Sequence, residues 1–216
     1  MHRLLSGFRE FRENVFPARQ ARFEELAAGQ QPSALFITCS DSRIVPHMLT
    51  QTEPGELFVL RNAGNIVPPA SAPLSGEAAT IEYAVQVLKV QDVIVCGHSH
   101  CGAISGVLRP ELVNGLSAVE HWLTHAERVR KEIAEEHLTA DGDDDLLTTA
   151  VKANVLVQLN HLRTYPSVAE VEGSGELRLH GCFYRFETGE VTVLNETRRK
   201  FMPVDEYLEA ELASAR

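Results

Sequence analysis

ALFITCSDSR, residues 34–43, is an apolar run followed directly by a polar cluster. The apolar part, Ala34–Cys39, follows a proline and a serine and is typical of a buried strand. VIVCGHSHCG, residues 93–102, repeats this arrangement with the apolar run Val93–Gly97. We therefore predict two buried strands, each ending in residues that can bind a metal or react.

Strands and helices alternate along the rest of the chain. A third apolar run, Glu56–Arg61, follows a turn signal, and apolar residues at helical spacing cover 75–90. This alternation predicts an α/β fold with a mostly parallel central sheet of about four strands, flanked by helices. Thr188–Gly189 lies between two apolar stretches and predicts a hairpin that adds an antiparallel edge strand. Residues 116–162 are predicted to be helical, with an acidic loop at 141–145 for which we predict no function.

The N-terminal residues predict an amphipathic helical arm. Apolar residues recur at helical spacing from Leu4 to Val15, and Pro17 should end this first helix. No linker or internal repeat divides the chain. We therefore expect a single domain over residues 1–216, with residues 1–30 as its N-terminal arm.

Composition excludes several classes of function. With 216 residues and 44% hydrophobic content, the chain can bury a full core, and its formal charge of −10 argues against a nucleic-acid groove. No apolar run reaches bilayer length, and the N-terminus lacks the features of a signal peptide. We expect a cytoplasmic protein without membrane or nucleic-acid partners, whose four cysteines are thiols or metal ligands.

Two cysteines and a histidine at the predicted strand ends form a candidate zinc site. Ligands of such sheets gather where the strands end, so Cys39 can meet His98 and Cys101 there. Zinc favours two thiolates and an imidazole at tetrahedral geometry, and three protein ligands leave a fourth position open, as in catalytic sites. The spacing alone does not exclude His100 as the imidazole. Gly102 lies at the start of the next predicted helix, where its N–H can hold an anion.

Asp41 and Arg43 are the candidate catalytic pair beside this site. Asp41 lies two residues from Cys39 and could close the metal site as a fourth ligand. Arg43 could instead bind the Asp41 carboxylate with two hydrogen bonds, which would leave the fourth position to water and let Asp41 accept that water's proton. Cys96 and Cys182 fall inside apolar strands, where core packing is the expected role.

The same segments resemble the β-class carbonic anhydrases. CSDSR at 39–43 and GHSHCG at 97–102 match the two signatures of that family, and the blocks 53–68 and 81–90 between them are also similar. The resemblance implies reversible hydration of carbon dioxide to bicarbonate and a proton by zinc-bound hydroxide, with one Zn²⁺ per subunit.

The resemblance also implies roles for individual residues. These are the zinc ligands Cys39, His98 and Cys101, the Asp41–Arg43 dyad, and the substrate-pocket residues Gln30, Phe58 and Tyr83. The imidazole ligand is thus His98 rather than His100. In the family the pocket residues reach across a dimer interface, and the N-terminal helix lies across a neighbouring subunit. We therefore expect at least a homodimer, with a tetramer or octamer usual.

One departure separates this sequence from the bicarbonate-inhibited members of the family. Those carry Trp and Gly at the positions of Phe36 and Thr38, although Arg61, another residue of the inhibitory site, is present. We therefore expect the open form, with water on zinc and activity that rises toward alkaline pH. The alternatives are a carbon disulfide hydrolase on the same scaffold, a non-catalytic zinc-stabilised module, and a closed structural zinc with Asp41 as fourth ligand.

Overall fold

Six strands form one sheet in the computed structural model, which describes residues 1–134 and 145–214. The strands are β1 (Ala34–Cys39), β2 (Leu57–Asn62), β3 (Asp92–His98), β4 (Arg178–Tyr184), β5 (Val191–Asn195) and β6 (Lys200–Pro203). Their order is β2-β1-β3-β4-β5-β6. The first four are parallel, β5 is antiparallel to β4, and β6 is antiparallel to β5. The predicted mostly parallel sheet with an antiparallel hairpin is confirmed, and β6 adds a second antiparallel pairing at this edge.

Helices flank this sheet and precede it. They are α1 (His2–Glu10), α2 (Phe16–Ala27), α3 (Pro46–Thr50), α4 (Gly76–Glu82), α5 (Gly102–Leu108), α6 (Ser117–Leu123), α7 (Arg128–Ala134), α8 (Leu146–Leu162), α9 (Pro166–Gly173) and α10 (Val204–Ser214). Short π-helical segments cover Phe11–Val15 and Tyr83–Val87, and 3₁₀ turns cover Pro110–Val113 and Thr124–Ala126. The predicted helical region after residue 116 is therefore several helices, and the acidic loop, apart from Asp145, lies outside the described residues.

The parallel strands end together at one edge of the sheet. All six residues of β1 are buried, as expected for a central parallel strand. Cys39 at its end is paired with Asn62 of β2, and Thr38 is paired with Cys96 of β3. Because β3 continues to His98, the two polar clusters predicted from the sequence emerge side by side.

Helix α8 covers one face of the sheet beside this edge. Most of its residues are buried, and it packs against β3 and β4. Gly97 permits the close approach, because a Cβ there would lie 2.6 Å from Val151 Cγ1. Cys96 is buried and Cys182 half-buried, paired on β3 and β4 in an apolar cluster, which confirms their predicted place in the core.

The N-terminal arm is helical from His2 to Ala27, so the prediction that Pro17 ends the first helix is wrong. The Phe16 N–H donates to the Phe11 carbonyl, five residues back, and Pro17 occupies the first turn of α2. The wide π turn accommodates a residue that has no N–H to donate. None of the helices within residues 1–134 and 145–214 has the length and hydropathy of a membrane span.

Candidate metal centre

Three potential ligands converge at the edge where β1 and β3 end. The ligand atoms of Cys39, His98 and Cys101 all lie within 4.8 Å of one another, and all three residues are buried. Cys39 is the last residue of β1, His98 is the last of β3, and Cys101 is the N-cap residue of α5. The sheet therefore brings the two predicted segments together, and His98 rather than His100 belongs to the cluster.

The His98 ring is oriented for metal binding through Nε2. Its Nδ1 lies 2.8 Å from the Ser99 carbonyl, which can only accept, so the proton belongs on Nδ1. Its Nε2 is buried and has no hydrogen-bond partner in the described part of the chain. The Phe186 ring stacks on His98 at a centroid distance of 4.8 Å. A buried nitrogen without a partner, beside two sulfurs, fits Zn²⁺.

The two cysteines have unlike environments. The hydrogen bond between their sulfurs lowers the pKa of Cys39 and raises that of Cys101. Cys39 Sγ also accepts from the Gly64 N–H at 3.3 Å. Cys101 lies at the amino end of α5, where backbone N–H groups favour a thiolate. The environment of Cys39 therefore favours the thiolate form, whereas Cys101, whose pKa is raised, would need a bound metal to become the second thiolate that zinc binding requires.

Asp41 and Arg43 form the two-point ion pair predicted from the sequence. Arg43 Nε donates to Asp41 Oδ1 at 2.9 Å, and Arg43 Nη2 donates to Oδ2 at 2.8 Å. The guanidinium of Arg43 holds the pKa of the Asp41 carboxyl well below its usual range. Arg43 also lies over the Phe186 ring, 4.6 Å from its centroid. The carboxylate is thus engaged by Arg43 and is not a member of the three-residue ligand cluster.

Arg61 stabilises the loop that carries Asp41 and Arg43. Its guanidinium donates to the Cys39 carbonyl at 2.9 and 3.0 Å and to the Asp41 carbonyl at 2.7 Å. Three hydrogen bonds to backbone carbonyls fix the chain just after β1. Arg61 is predictable only from the family resemblance, because no local sequence pattern indicates that it reaches these carbonyls.

His100 points away from the ligand cluster. It has a left-handed φ of 57°, its side chain is half exposed, and its Nε2 contacts a Glu187 carboxylate oxygen. Glu187 also accepts from the Ser99 hydroxyl at 2.8 Å, and that hydroxyl accepts from the Phe186 N–H at 2.9 Å. No sequence pattern predicts this role for Glu187, because it lies 89 residues after His98 in the chain.

The predicted pocket residues do not meet the ligand cluster within one chain. The Phe58 and Tyr83 rings contact each other at a centroid distance of 6.0 Å, and Gln30 is exposed between α2 and β1. Phe58 is paired with Leu35, four residues before Cys39, which is about 13 Å along the strand. Gly102, by contrast, is the first residue of α5 and directly follows Cys101.

Comparison with known proteins places this fold and site in one class of metalloenzyme. The family model described as carbonic anhydrase matches residues 34–191. A carbonic anhydrase of Pseudomonas aeruginosa is 46% identical, with 97% of this chain and 94% of the relative covered. One of Synechocystis is 44% identical, with 96% of this chain and 79% of the relative covered.

Solved structures give the same result. The β-carbonic anhydrase CcaA has a TM-score of 0.88 and 45% identity, with 94% of this chain and 91% of that chain covered. A tetrameric β-carbonic anhydrase of Sordaria macrospora has a TM-score of 0.78 and 32% identity, with 90% and 96% covered. The fold and the Cys₂His cluster define a zinc metalloenzyme scaffold. The chain belongs to the β-class carbonic anhydrase family.

Proposed function

We propose that this protein catalyses the reversible hydration of carbon dioxide to bicarbonate and a proton. The observation that carries this proposal is the buried cluster of Cys39, His98 and Cys101, three donors beside a carboxylate that Arg43 holds. Zinc, when bound, supplies a Lewis acid that lowers the pKa of its water. Relatives named carbonic anhydrase, similar over nearly the whole chain, support the same activity.

In this proposal Asp41 and Arg43 act on the fourth ligand position. Arg43 keeps the carboxylate away from the metal, and Asp41 accepts a hydrogen bond from the water that reacts. The thiolates of Cys39 and Cys101 offset the metal's charge, so we expect the rate to rise toward alkaline pH rather than stay flat. This arrangement is the open form, and Asp41 coordinated to the metal at neutral pH or above would contradict it.

Substrate contacts are proposed to come from two chains. Gly102 offers a backbone N–H beside Cys101, whereas Gln30, Phe58 and Tyr83 act from the neighbouring subunit. Their separation from the ligand cluster within one chain supports this division. An apolar wall with one amide suits carbon dioxide, which is small and apolar.

A homo-oligomer of at least two subunits follows from the same proposal. Large apolar side chains of the arm are exposed, including Leu4 at 65% and Phe8 at 71%, and a neighbouring subunit would cover them. The tetrameric relative of Sordaria macrospora supports a dimer or a larger assembly. Sedimentation at micromolar concentration that gave only monomer would contradict this assembly.

We further propose one domain over residues 1–216, with residues 1–30 as the arm, and a cytoplasmic location. The four free cysteines support the location, because disulfides are rare in that compartment. Proteolysis that released a stable fragment from within the sheet would contradict the single domain. Fractionation that placed the protein outside the cytoplasm would contradict the location.

The decisive experiment is stopped-flow carbon dioxide hydration from about pH 6.5 to 9, around the pKa of zinc-bound water, with zinc content measured in parallel. We expect zinc-dependent turnover that rises with pH, and loss of zinc and activity in Cys101→Ser. A fully zinc-loaded protein without hydration would contradict the proposal. Turnover of carbon disulfide would then be measured, although relatives named carbonic anhydrase do not favour that alternative or a non-catalytic module.

A further inference from the structure

The peptide unit between Ala63 and Gly64 lies between the ligand cluster and α6. Its N–H, from Gly64, donates to Cys39 Sγ at 3.3 Å. Its carbonyl, from Ala63, accepts from Trp122 Nε1 at 2.8 Å. The next carbonyl, of Gly64, accepts from Asn154 Nδ2 at 2.9 Å. We infer that Trp122 and Asn154 are positioning residues that hold this peptide against the Cys39 sulfur and thereby tune the zinc site.

Trp122 acts on the same peptide that donates to the sulfur. It is the single tryptophan of the sequence and lies on α6, partly exposed. A donor on a peptide carbonyl polarises the whole amide, which strengthens the N–H of that amide as a donor. The Trp122 indole therefore orients the Gly64 N–H and also makes it a stronger donor toward Cys39.

Asn154 fixes the other side of Gly64 from within the buried helix α8. Its side chain is fully buried, and its Oδ1 accepts from Gln158 Nε2 at 2.8 Å. The Gln158 Oε1 in turn accepts from the Val67 N–H at 2.9 Å. Two buried amides thus connect α8 to both ends of the segment 64–67. These two paired amides restrict movement of the backbone at Gly64 and Val67, although the buried side chain of Asn65 between them has no hydrogen-bond partner among the described residues.

Glycine at position 64 lets the peptide approach this closely. Its φ of +83° lies in the left-handed region, and a Cβ there would lie 2.9 Å from the Ala103 Cβ. Because Gly64 has no side chain, its backbone can pack directly against Ala103 of α5. The hydrogen bonds that Cys39, Trp122 and Asn154 make with this backbone all depend on the position of Gly64.

The chemical consequence follows from hydrogen bonding to a metal-bound sulfur. A donor on a thiolate withdraws electron density from it and fixes its direction, and outer partners of this kind typically alter metal affinity by about 10- to 100-fold. The inference rests on the proposed zinc enzyme. Its test uses metal release and spectra, which can be measured whether or not carbon dioxide is hydrated.

The test compares three zinc-loaded variants of the full chain. Trp122→Phe removes the donor to Ala63, and Asn154→Leu removes the donor to Gly64. Thr149→Val is the matched control, because Thr149 is a buried polar residue of α8 whose hydroxyl bonds only the Asp145 carbonyl among the described residues. Zinc release to an excess of chelator is timed, and the sulfur-to-metal charge-transfer band is recorded after substitution with Co²⁺.

We expect zinc release about 10-fold faster in Trp122→Phe and Asn154→Leu, with the cobalt band moved to longer wavelength because the sulfur is richer in electrons. Thr149→Val should match the wild type in both. Trp122→Phe is the safer variant, since the Trp122 side chain is only partly buried and phenylalanine still supplies a smaller aromatic ring. Wild-type release and an unshifted band in folded Trp122→Phe would overturn the inference, as would an equal band shift in Thr149→Val.

Discussion

The Asp41 carboxylate is held in place by the side chain of Arg43, two residues further along the chain. Arg43 contacts both carboxylate oxygens, and the Asp41 side chain is only 17% exposed. Because the pKa of Asp41 is depressed, the carboxylate stays ionised throughout the pH range in which hydration would be assayed. Any inflection of the rate in that range must then belong to another group, and in the proposed mechanism Asp41 would serve as a constant acceptor.

Asp41→Asn should lower kcat by about 100-fold, the low end of what a positioned proton acceptor contributes. Zinc content should stay unchanged, because Asp41 is not in the ligand cluster. Stopped-flow hydration with metal analysis measures both quantities.

Asp92 provides the matched control for this substitution. It is held by Arg178 through two hydrogen bonds of 2.8 Å at the opposite end of β3, far from the ligands. Asp92→Asn should leave kcat near the wild-type value. Undiminished turnover in Asp41→Asn would remove Asp41 from the mechanism.

The connection between β4 and β5 is the element that covers the metal centre. Phe186 stacks on His98, and Glu187 accepts from both Ser99 and His100. A short turn, 98–101, carries two of the three ligands, so a contact that fixes the turn also fixes their separation. The hairpin therefore does more than add an antiparallel strand to the sheet.

Glu187→Ala should release zinc faster, by up to about 10-fold, because the turn 98–101 loses its carboxylate partner. Glu190→Ala is the control from the same hairpin, since Glu190 contacts Arg185 at 4.0 Å and does not reach the turn. A colorimetric zinc indicator can follow release from both proteins under identical conditions. Equal release rates in the two variants would show that the hairpin does not stabilise the ligands.

At the scale of the whole molecule, one chain holds the candidate ligands and the proposed pocket residues at different places. The edge of the sheet carries Cys39, His98 and Cys101, whereas Phe58 and Tyr83 lie together near the other ends of the strands. A second subunit that presents its own pocket residues to this edge would complete the site. Assembly and activity would then depend on each other.

Mixed oligomers test this dependence directly. Cys101→Ser should lack zinc, and Tyr83→Ala should lack part of the pocket, so each homo-oligomer should be weakly active. If pocket residues act across the interface, each mixed dimer contains one intact site of two. Because random mixing of equal amounts makes about half of the dimers mixed, co-refolded subunits should regain about a quarter of the wild-type activity if the sites are independent. If both groups acted within one chain, mixing would restore nothing. Hydration rates before and after co-refolding distinguish the two cases.

Local sequence determined the features that short-range chemistry controls. The strands before Cys39 and His98, the pairing of Asp41 with Arg43, and the nearness of His98 to Cys101 depend on residues within a few positions of one another. Apolar runs and tight turns specify such features without any contribution from distant parts of the chain. The Pro17 prediction failed because a π turn, formed by neighbouring backbone, accommodated the residue without ending the helix.

Only the tertiary structure decided which distant groups complete the site. Gly64 lies 25 residues from Cys39, Trp122 lies 59 from Ala63, and Asn154 lies 90 from Gly64, yet each pair is joined by a hydrogen bond. Neither periodicity nor a motif encodes these contacts, because they arise where helices dock on the sheet edge. The sequence by itself therefore determined which residues were candidate zinc ligands and why zinc suits them. The tertiary structure decided that Cys39, His98 and Cys101 lie within 4.8 Å of one another and that α6 and α8 contact the backbone beside them, because these positions depend on how the strands and helices pack.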